Sequence, residues 1–171
     1  MKTKLRFMVL TGCIAAAYAA LSIVSALAGL AYGQVQFRLS ESLCVLAAFT
    51  PAAIPGLTLG CFLANLGSTL GPVDMLCGTA ATLVAAIIGY AFRRFKAGGV
   101  AWPAMLACIV VNALIVGAEL ALLTSSGESF FAAFAINAAM VAVGQTAVCL
   151  LAGVPLSMAI DRTPKIKQLL K

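Results

Sequence analysis

Long apolar runs alternate with short stretches rich in Gly, Pro and Ser along the whole chain. Apolar runs of this length predict membrane-spanning helices, and the short stretches predict the turns between them. The turns fall at AYGQ, TPAAIPG, NLGSTLGP, KAGG and TSSGES. They divide the chain into six predicted helices: Phe7–Leu30, Leu39–Thr50, Pro51–Leu66, Pro72–Phe95, Trp102–Leu123 and Ser129–Ile160.

The second predicted helix is unusually short. About 12 residues at ~1.5 Å each extend only about 18 Å, whereas the hydrocarbon core of a bilayer is roughly 30 Å thick. Backbone that does not span survives at membrane depth only where protein or a cavity covers it. The second and third helices are therefore either tilted and short or a partly re-entrant pair.

Composition supports the membrane interpretation. Of 171 residues, 63% are hydrophobic and only 9% are charged, which is too few charges for the surface of a soluble domain. The apolar run after the basic N-terminus is long enough to span and to be retained, unlike a signal peptide. We therefore predict an all-α polytopic membrane protein, with residues 1–171 forming one six-helix domain.

The net charge of +6 comes from basic residues in three clusters: at the N-terminus, between the fourth and fifth helices, and at the C-terminus. With six passes all three lie on one side, which the positive-inside rule makes the cytoplasm. We expect a cell-membrane protein with both termini cytoplasmic and no nucleic-acid partner. The clusters are Lys2, Lys4 and Arg6; Arg93, Arg94 and Lys96; and Arg162, Lys165, Lys167 and Lys171.

The remaining polar residues are predicted to lie at one depth. Counting along the helices places most of them in the outer third of the bundle, and leaves the inner part nearly featureless apart from Gln145. A charge at helix centre costs on the order of 2.5–3.5 kcal/mol, so this layer indicates a polar cavity open to the outside. Its members are Arg38, Glu41, Asn65, Asp74, Asn112, Glu119 and Asn137. The outer loops carry two charged residues, Arg38 and Glu128.

Most of these residues also have a structural explanation. Glu41 and Asp74 fall in first helical turns, where a carboxylate complements the helix dipole. Arg38 can pair with Glu41, and the asparagines can join helices by hydrogen bonds. Glu119 lies well within the apolar stretch VVNALIVGAELALL, where no cap explains a carboxylate. It is the strongest single candidate for a ligand-binding residue.

Motifs for enzyme chemistry or metal binding are not found. The chain has no His, and its six Cys occur singly without CxxC spacing, so they are interpreted as small buried apolar residues. The glycine-rich stretch GLTLGCFLANLGSTLG has no Lys and no strand before it, unlike a nucleotide-binding loop. We expect neither catalysis nor a metal or other cofactor in this chain.

Small residues at four-residue spacing mark the first helix. They permit the close approach of another helix, which is either a neighbour in the bundle or a separate membrane protein. The set comprises Gly12, Ala15, Ala16, Ala19 and Ala20.

The stretch YGQVQFRLSESLCVLAAFTPAAIPGLTLGCFLANL, followed by GPVDMLCGTAATLVAA, resembles the QueT family. The resemblance runs through most of the chain and is densest between residues 32 and 86. It implies a substrate-binding (S) component of an energy-coupling-factor (ECF) transporter for queuosine precursors. A transmembrane coupling subunit and a pair of ATPases, which use ATP, would be its partners. The small-residue face of the first helix would contact the coupling subunit.

A 7-deazaguanine ring fits this polar inventory. A carboxylate can accept both adjacent N–H groups of the pyrimidine edge, and an aminomethyl arm needs a second acid. We expect Glu119 with Glu41 or Asp74 to hold these donors, the asparagines to meet the remaining ring atoms, and Phe37 or Tyr32 to stack on the ring. Alternatives are an S component for another vitamin such as thiamine, or a solo ion-coupled carrier, although such carriers usually show inverted repeats and midplane acids.

Overall fold

The computed structural model describes residues 2–30, 35–68, 70–124 and 129–170. Every regular element in these ranges is helical, which confirms the predicted all-α membrane bundle. The elements are α1 (Lys2–Leu27), a 3-10 helix (Leu39–Ala48), α2 (Ala53–Asn65), α3 (Pro72–Ala91), α4 (Trp102–Thr124), α5 (Phe130–Val148), a π-helical turn (Cys149–Gly153), α6 (Val154–Arg162) and α7 (Pro164–Leu170).

Four stretches among the described residues are long and apolar enough to cross a membrane. They are Thr3–Leu27, Pro72–Ala91, Trp102–Thr124 and Phe130–Arg162. The last contains α5, the π-helical turn and α6, so the predicted sixth helix is one continuous rod with a local distortion. α7 was not predicted, and the predicted fourth helix extended four residues beyond Ala91, where α3 ends.

The 3-10 geometry of Leu39–Ala48 resolves the problem of the short second helix. At about 2.0 Å per residue, ten residues of 3-10 helix extend roughly 20 Å, further than the same number in an α-helix. The turn that follows reaches the basic end of the bundle, because the Lys96 ammonium lies 3.4 Å from the centroid of the Phe49 ring. The 3-10 helix and α2 are therefore short helices that cross the bundle.

The three basic clusters lie at one end of the bundle, as predicted. Arg6 donates a hydrogen bond to the backbone carbonyl of Gln168, which joins the start of α1 to α7. A cavity of about 450 Å³ brings Arg93 and Lys96 together with Lys167. Lys171 lies outside the described residues. We call this the basic end and the opposite one, where α2 stops at Asn65, the outer end.

The predicted small-residue set of α1 divides between two faces. Ala15 is buried and Ala19 half-buried, whereas Gly12, Ala16 and Ala20 are exposed. The buried side packs against α2, where a side chain at Gly60 would overlap Tyr18 and Ala15. The buried face therefore packs within the bundle, whereas docking of a separate membrane protein on the exposed face stays a prediction.

Replacing Gly60 by Ala is expected to destabilise the bundle by about 1–3 kcal/mol, as overpacking does. The new Cβ would lie 2.6 Å from Tyr18 Cβ and 2.8 Å from the Ala15 carbonyl oxygen, so α1 would have to move. Gly12→Ala is the matched control, because no atom lies within 4 Å of its added Cβ and helix propensity favours Ala. Thermal unfolding in detergent should separate the two variants, and equal melting temperatures would contradict the packing.

Candidate functional site

The outer group is a set of polar side chains from the start of the 3-10 helix, the end of α2, the start of α3 and the outer part of α4. Arg38 donates a hydrogen bond to Asn65 Oδ1, and its Nη2 lies 3.8 Å from Asp74 Oδ2. The same Asp74 oxygen accepts a hydrogen bond from Ser68. Asn65 Nδ2 donates to the Asp74 backbone carbonyl at 3.2 Å. We define the outer group as Arg38, Asn65, Ser68, Asp74 and Glu119.

Glu119 differs from the other members of this group. Its side chain is buried, with 2% exposed, and neither carboxylate oxygen accepts a hydrogen bond from any residue that the structure describes. Asp74 and Arg38 are the charged neighbours that act on it electrostatically. Burying an unpaired carboxylate in an apolar environment costs on the order of several kcal/mol of free energy. Hydrogen-bond donors from a ligand would reduce this cost at Glu119.

The inner group lies deeper and surrounds Glu41. Tyr18 donates its hydroxyl to Glu41 Oε1, whereas the thiols of Cys44 and Cys108 donate to Oε2 at 3.3 and 3.1 Å. The Gln145 oxygen lies 3.7 Å from the Cys108 sulfur. Both Glu41 oxygens are thus supplied with donors, in contrast to those of Glu119. The inner group is Tyr18, Glu41, Cys44, Cys108 and Gln145.

The predicted single polar layer is therefore two layers. Glu41 contacts Cys108, which precedes Glu119 on α4 by eleven residues, or about 16 Å of helix. The expectation that Glu41 lies in the outer third was wrong, because Glu41 contacts Cys108, which lies in the half of α4 nearer the basic end. The inner part of the bundle is not featureless either. Arg38 acts electrostatically on both Glu41 and Asp74, and so connects the two groups.

The remaining predicted residues lie around these groups. Asn112 is buried and donates to the carbonyl of Cys108 on its own helix at 2.9 Å. Asn137 is half-buried and donates to Thr124 Oγ1 at 3.4 Å, at the end of α4, rather than to a member of either group. Phe37 is half-buried, and its backbone N–H donates to the Leu30 carbonyl at 2.9 Å. Tyr32 and Glu128 lie outside the described residues.

Sequence reasoning missed the polar face of α1. Tyr18, Ser22 and Ser25 are all buried and point toward the 3-10 helix. Ser22 bonds Ser40 at 2.7 Å, and Ser25 accepts the Leu39 backbone N–H at 3.0 Å. Their spacing of four and three residues on an otherwise apolar helix was a readable signal for one buried face.

Gly144 sets the approach of the segment that carries Arg38. A Cβ on this residue of α5 would lie 2.2 Å from the Gln36 carbonyl oxygen, so the backbone before Arg38 passes directly over the glycine. Gln36 itself is buried. This close passage holds the QFR segment against α5 and directs Arg38 into the bundle.

A cavity of about 230 Å³ adjoins the outer group and is lined by Asn65, Leu66, Gly71, Pro72 and Met75. It is smaller than the ~300–1,000 Å³ typical of ligand pockets. It opens beside Asn65, whose amide already contacts Arg38 and Asp74. A small molecule that entered here would meet the outer group first.

Comparison with known proteins agrees with the family resemblance of the sequence. The chain is 36% identical to the Queuosine precursor transporter QueT of Lactococcus lactis subsp. cremoris (strain MG1363) over 96 residues, 56% of this chain and 56% of that protein. The aligned region thus spans little more than half of each protein. No solved structure matches the chain. The sequence model of the family described as QueT transporter matches residues 8–162, nearly the whole bundle, and the chain belongs to that family.

Proposed function

We propose that this protein captures a queuosine precursor from outside the cell and is the substrate-binding component of an ECF-type importer. Family membership and the name of the Lactococcus relative support the ligand class. The observation that carries the proposal is the Glu119 carboxylate, which is buried without a described hydrogen-bond donor. A ligand rich in N–H groups would supply those donors.

The charge of the outer group indicates which precursor fits best. Glu119 and Asp74 contribute two negative charges and Arg38 one positive charge, so the group has a net charge of about −1 when all three are ionised. A 7-deazaguanine with a protonated aminomethyl arm carries the matching positive charge. Asp74 already accepts a hydrogen bond from Ser68 and lies close to Arg38, whereas neither oxygen of Glu119 accepts a hydrogen bond from a described residue. We therefore assign the pyrimidine edge or the ammonium of the ligand to Glu119.

The other predicted residues take supporting roles. Asn65 and Arg38 fix Asp74, and Phe37 offers a half-buried ring beside Arg38. We assign Glu41 and Asn112, which both contact Cys108, to the floor beneath the outer group. Asn137 lies at the rim next to Thr124, where it meets the ligand only as it enters.

ATP-driven import by this chain requires partners, because its sequence carries no nucleotide-binding motif. A transmembrane coupling subunit and a pair of ATPases would use ATP to drive release inward. The exposed face of Gly12, Ala16 and Ala20 has the small residues that allow a partner helix to approach closely. The basic end faces the cytoplasm by the positive-inside rule, which places the outer group toward the outside of the cell membrane.

A ligand screen by thermal shift tests this proposal. The purified protein is heated with the aminomethyl, nitrile and free-base forms of 7-deazaguanine, with queuine, and with thiamine. A ligand at 100 times its Kd stabilises by about 2.7 kcal/mol, and only a true ligand does so at low concentration. We expect the largest shift from the aminomethyl form. A shift from thiamine alone would make this an S component for another vitamin, and ATP-independent uptake by vesicles holding this chain alone would indicate a solo carrier.

A further inference from the structure

Cysteines that are far apart in the sequence meet around Glu41. Cys44 lies on the 3-10 helix, Cys108 on α4, and Cys149 at the start of the π-helical turn. All three are free thiols, buried in one cluster of the core. Cys149 is buried in the same core cluster as Cys108. Spacing along the chain gave no sign of this cluster, because each cysteine comes from a different element.

The distances within this cluster suit a metal ion. The Glu41 carboxylate oxygen and the Cys44 and Cys108 sulfurs all lie within 4.8 Å of one another, and the oxygen lies 3.3 and 3.1 Å from the two sulfurs. In a tetrahedral site with bonds of about 2.0–2.3 Å, the ligand atoms are roughly 3.5–3.8 Å apart. Small shifts of these three side chains would therefore supply three of the four ligands of such a site.

Cysteines that act only as small apolar residues do not need this arrangement. Cys61 is as deeply buried as Cys108 but belongs to a different core cluster, built around α1 and α2. Cys44 and Cys108, by contrast, both direct their thiols at one carboxylate oxygen. The same carboxylate holds no basic partner in an ion pair among the described residues. One oxygen of the carboxylate therefore contacts two thiols, which become soft metal ligands when they lose their protons, while Tyr18 holds the other oxygen.

We propose that Glu41, Cys44 and Cys108 form a binding site for a thiophilic divalent cation such as zinc. Thiolates select soft metals, and the carboxylate oxygen is also a zinc ligand. The fourth position falls to the neutral Gln145 Oε1, which lies 3.7 Å from the Cys108 sulfur. The inference concerns the inner group and does not depend on the ligand proposed for the outer group.

The charge balance favours the exchange of two thiol protons for one divalent cation inside an apolar bundle. Without metal the site holds one carboxylate and two neutral thiols, a charge of −1. When a divalent cation binds, both thiol protons leave, and two thiolates plus the carboxylate surround a charge of +2. The net charge remains −1, so no additional charge is transferred into the low-dielectric interior.

Cadmium titration of the reduced protein in detergent tests the site, because cadmium thiolates absorb in the ultraviolet. We expect one equivalent of Cd²⁺ per chain, with release of two protons, and competition by Zn²⁺. The band should be lost in Cys44→Ala and Cys108→Ala and retained in Cys61→Ala, the matched buried control. Absence of the band from the wild-type protein, or its survival in the double variant Cys44→Ala/Cys108→Ala, would overturn the proposal.

Two further measurements guard against variants that fail to fold. Cys44→Ser keeps a donor for Glu41 but is a poor soft ligand, so it should retain the melting temperature and lose the cadmium band. Alkylation of the wild-type protein, mapped by mass spectrometry, needs no variant at all. Cd²⁺ should protect Cys44 and Cys108 but not Cys61, and equal labelling of all three with and without the metal would refute the site.

Discussion

Replacing Glu119 by Gln is expected to weaken binding of the aminomethyl precursor by about 10- to 150-fold and, at the same time, to raise the melting temperature of the ligand-free protein. The first effect is the loss of a charge-assisted hydrogen bond, which contributes about 1.5–3 kcal/mol. The second arises because Glu119 is a buried carboxylate without a described donor, whose removal relieves a desolvation penalty. Calorimetric titration and thermal unfolding measure the two effects separately.

The combination of opposite signs makes this experiment informative. If Glu119 only stabilised the fold, replacing it would lower the stability of the protein. If Glu119 is instead unpaired until a ligand binds, replacing it raises the stability of the ligand-free protein. Asp161→Asn is the matched control, since Asp161 lies at the basic end, is paired with Lys167 at 2.8 Å and should leave affinity unchanged. Unchanged affinity in Glu119→Gln would remove Glu119 from the binding site.

Arg38→Met is expected to cost about 3–5 kcal/mol of stability, the largest effect on folding among the changes considered. The guanidinium is buried, contacts Asn65, and lies 3.8 Å from Asp74 Oδ2. Its removal leaves the buried Asp74 carboxylate without its cation, which is more harmful than removing both charges. Melting temperature or unfolding by denaturant in detergent measures the loss.

The double variant Arg38→Met/Asp74→Asn provides the internal check. Without the carboxylate there is no uncompensated charge, so most of the lost stability should return. Arg94→Met is the control for removing a positive charge, because Arg94 is exposed at the basic end. If the double variant were no more stable than Arg38→Met, the Arg38–Asp74 pair would not be the reason for the loss.

Several features of the fold were accessible from the order of residues. Apolar runs and Gly/Pro breaks predicted the helical bundle, since the cost of unpaired backbone in lipid leaves few other solutions. The starts of the helices at Leu39, Pro72 and Trp102 agree with the structure. The 3-10 form of Leu39–Ala48 was not predicted, because side-chain pattern over ten residues does not distinguish a rise of 1.5 Å from one of 2.0 Å.

The candidate site was only partly predictable. Polar type and position along each helix were sufficient to select Arg38, Asp74 and Glu119, because a charge in an apolar helix needs a reason. They gave the wrong depth for Glu41. The first turn of the 3-10 helix lies beside Cys108, near the basic end of α4, and depth counted separately on each helix ignores how the helices are offset.

The order of residues was enough to predict a membrane bundle, its basic end and one carboxylate, Glu119, that no helix cap explains. These follow from local composition, because transfer from water to lipid depends on each segment alone. The three-dimensional structure was needed to show that both Glu41 oxygens accept hydrogen bonds while neither Glu119 oxygen does so from a described residue, and that Cys44 and Cys108 donate to one oxygen. Those facts depend on contacts between helices distant in sequence, and the packing of the whole bundle sets them.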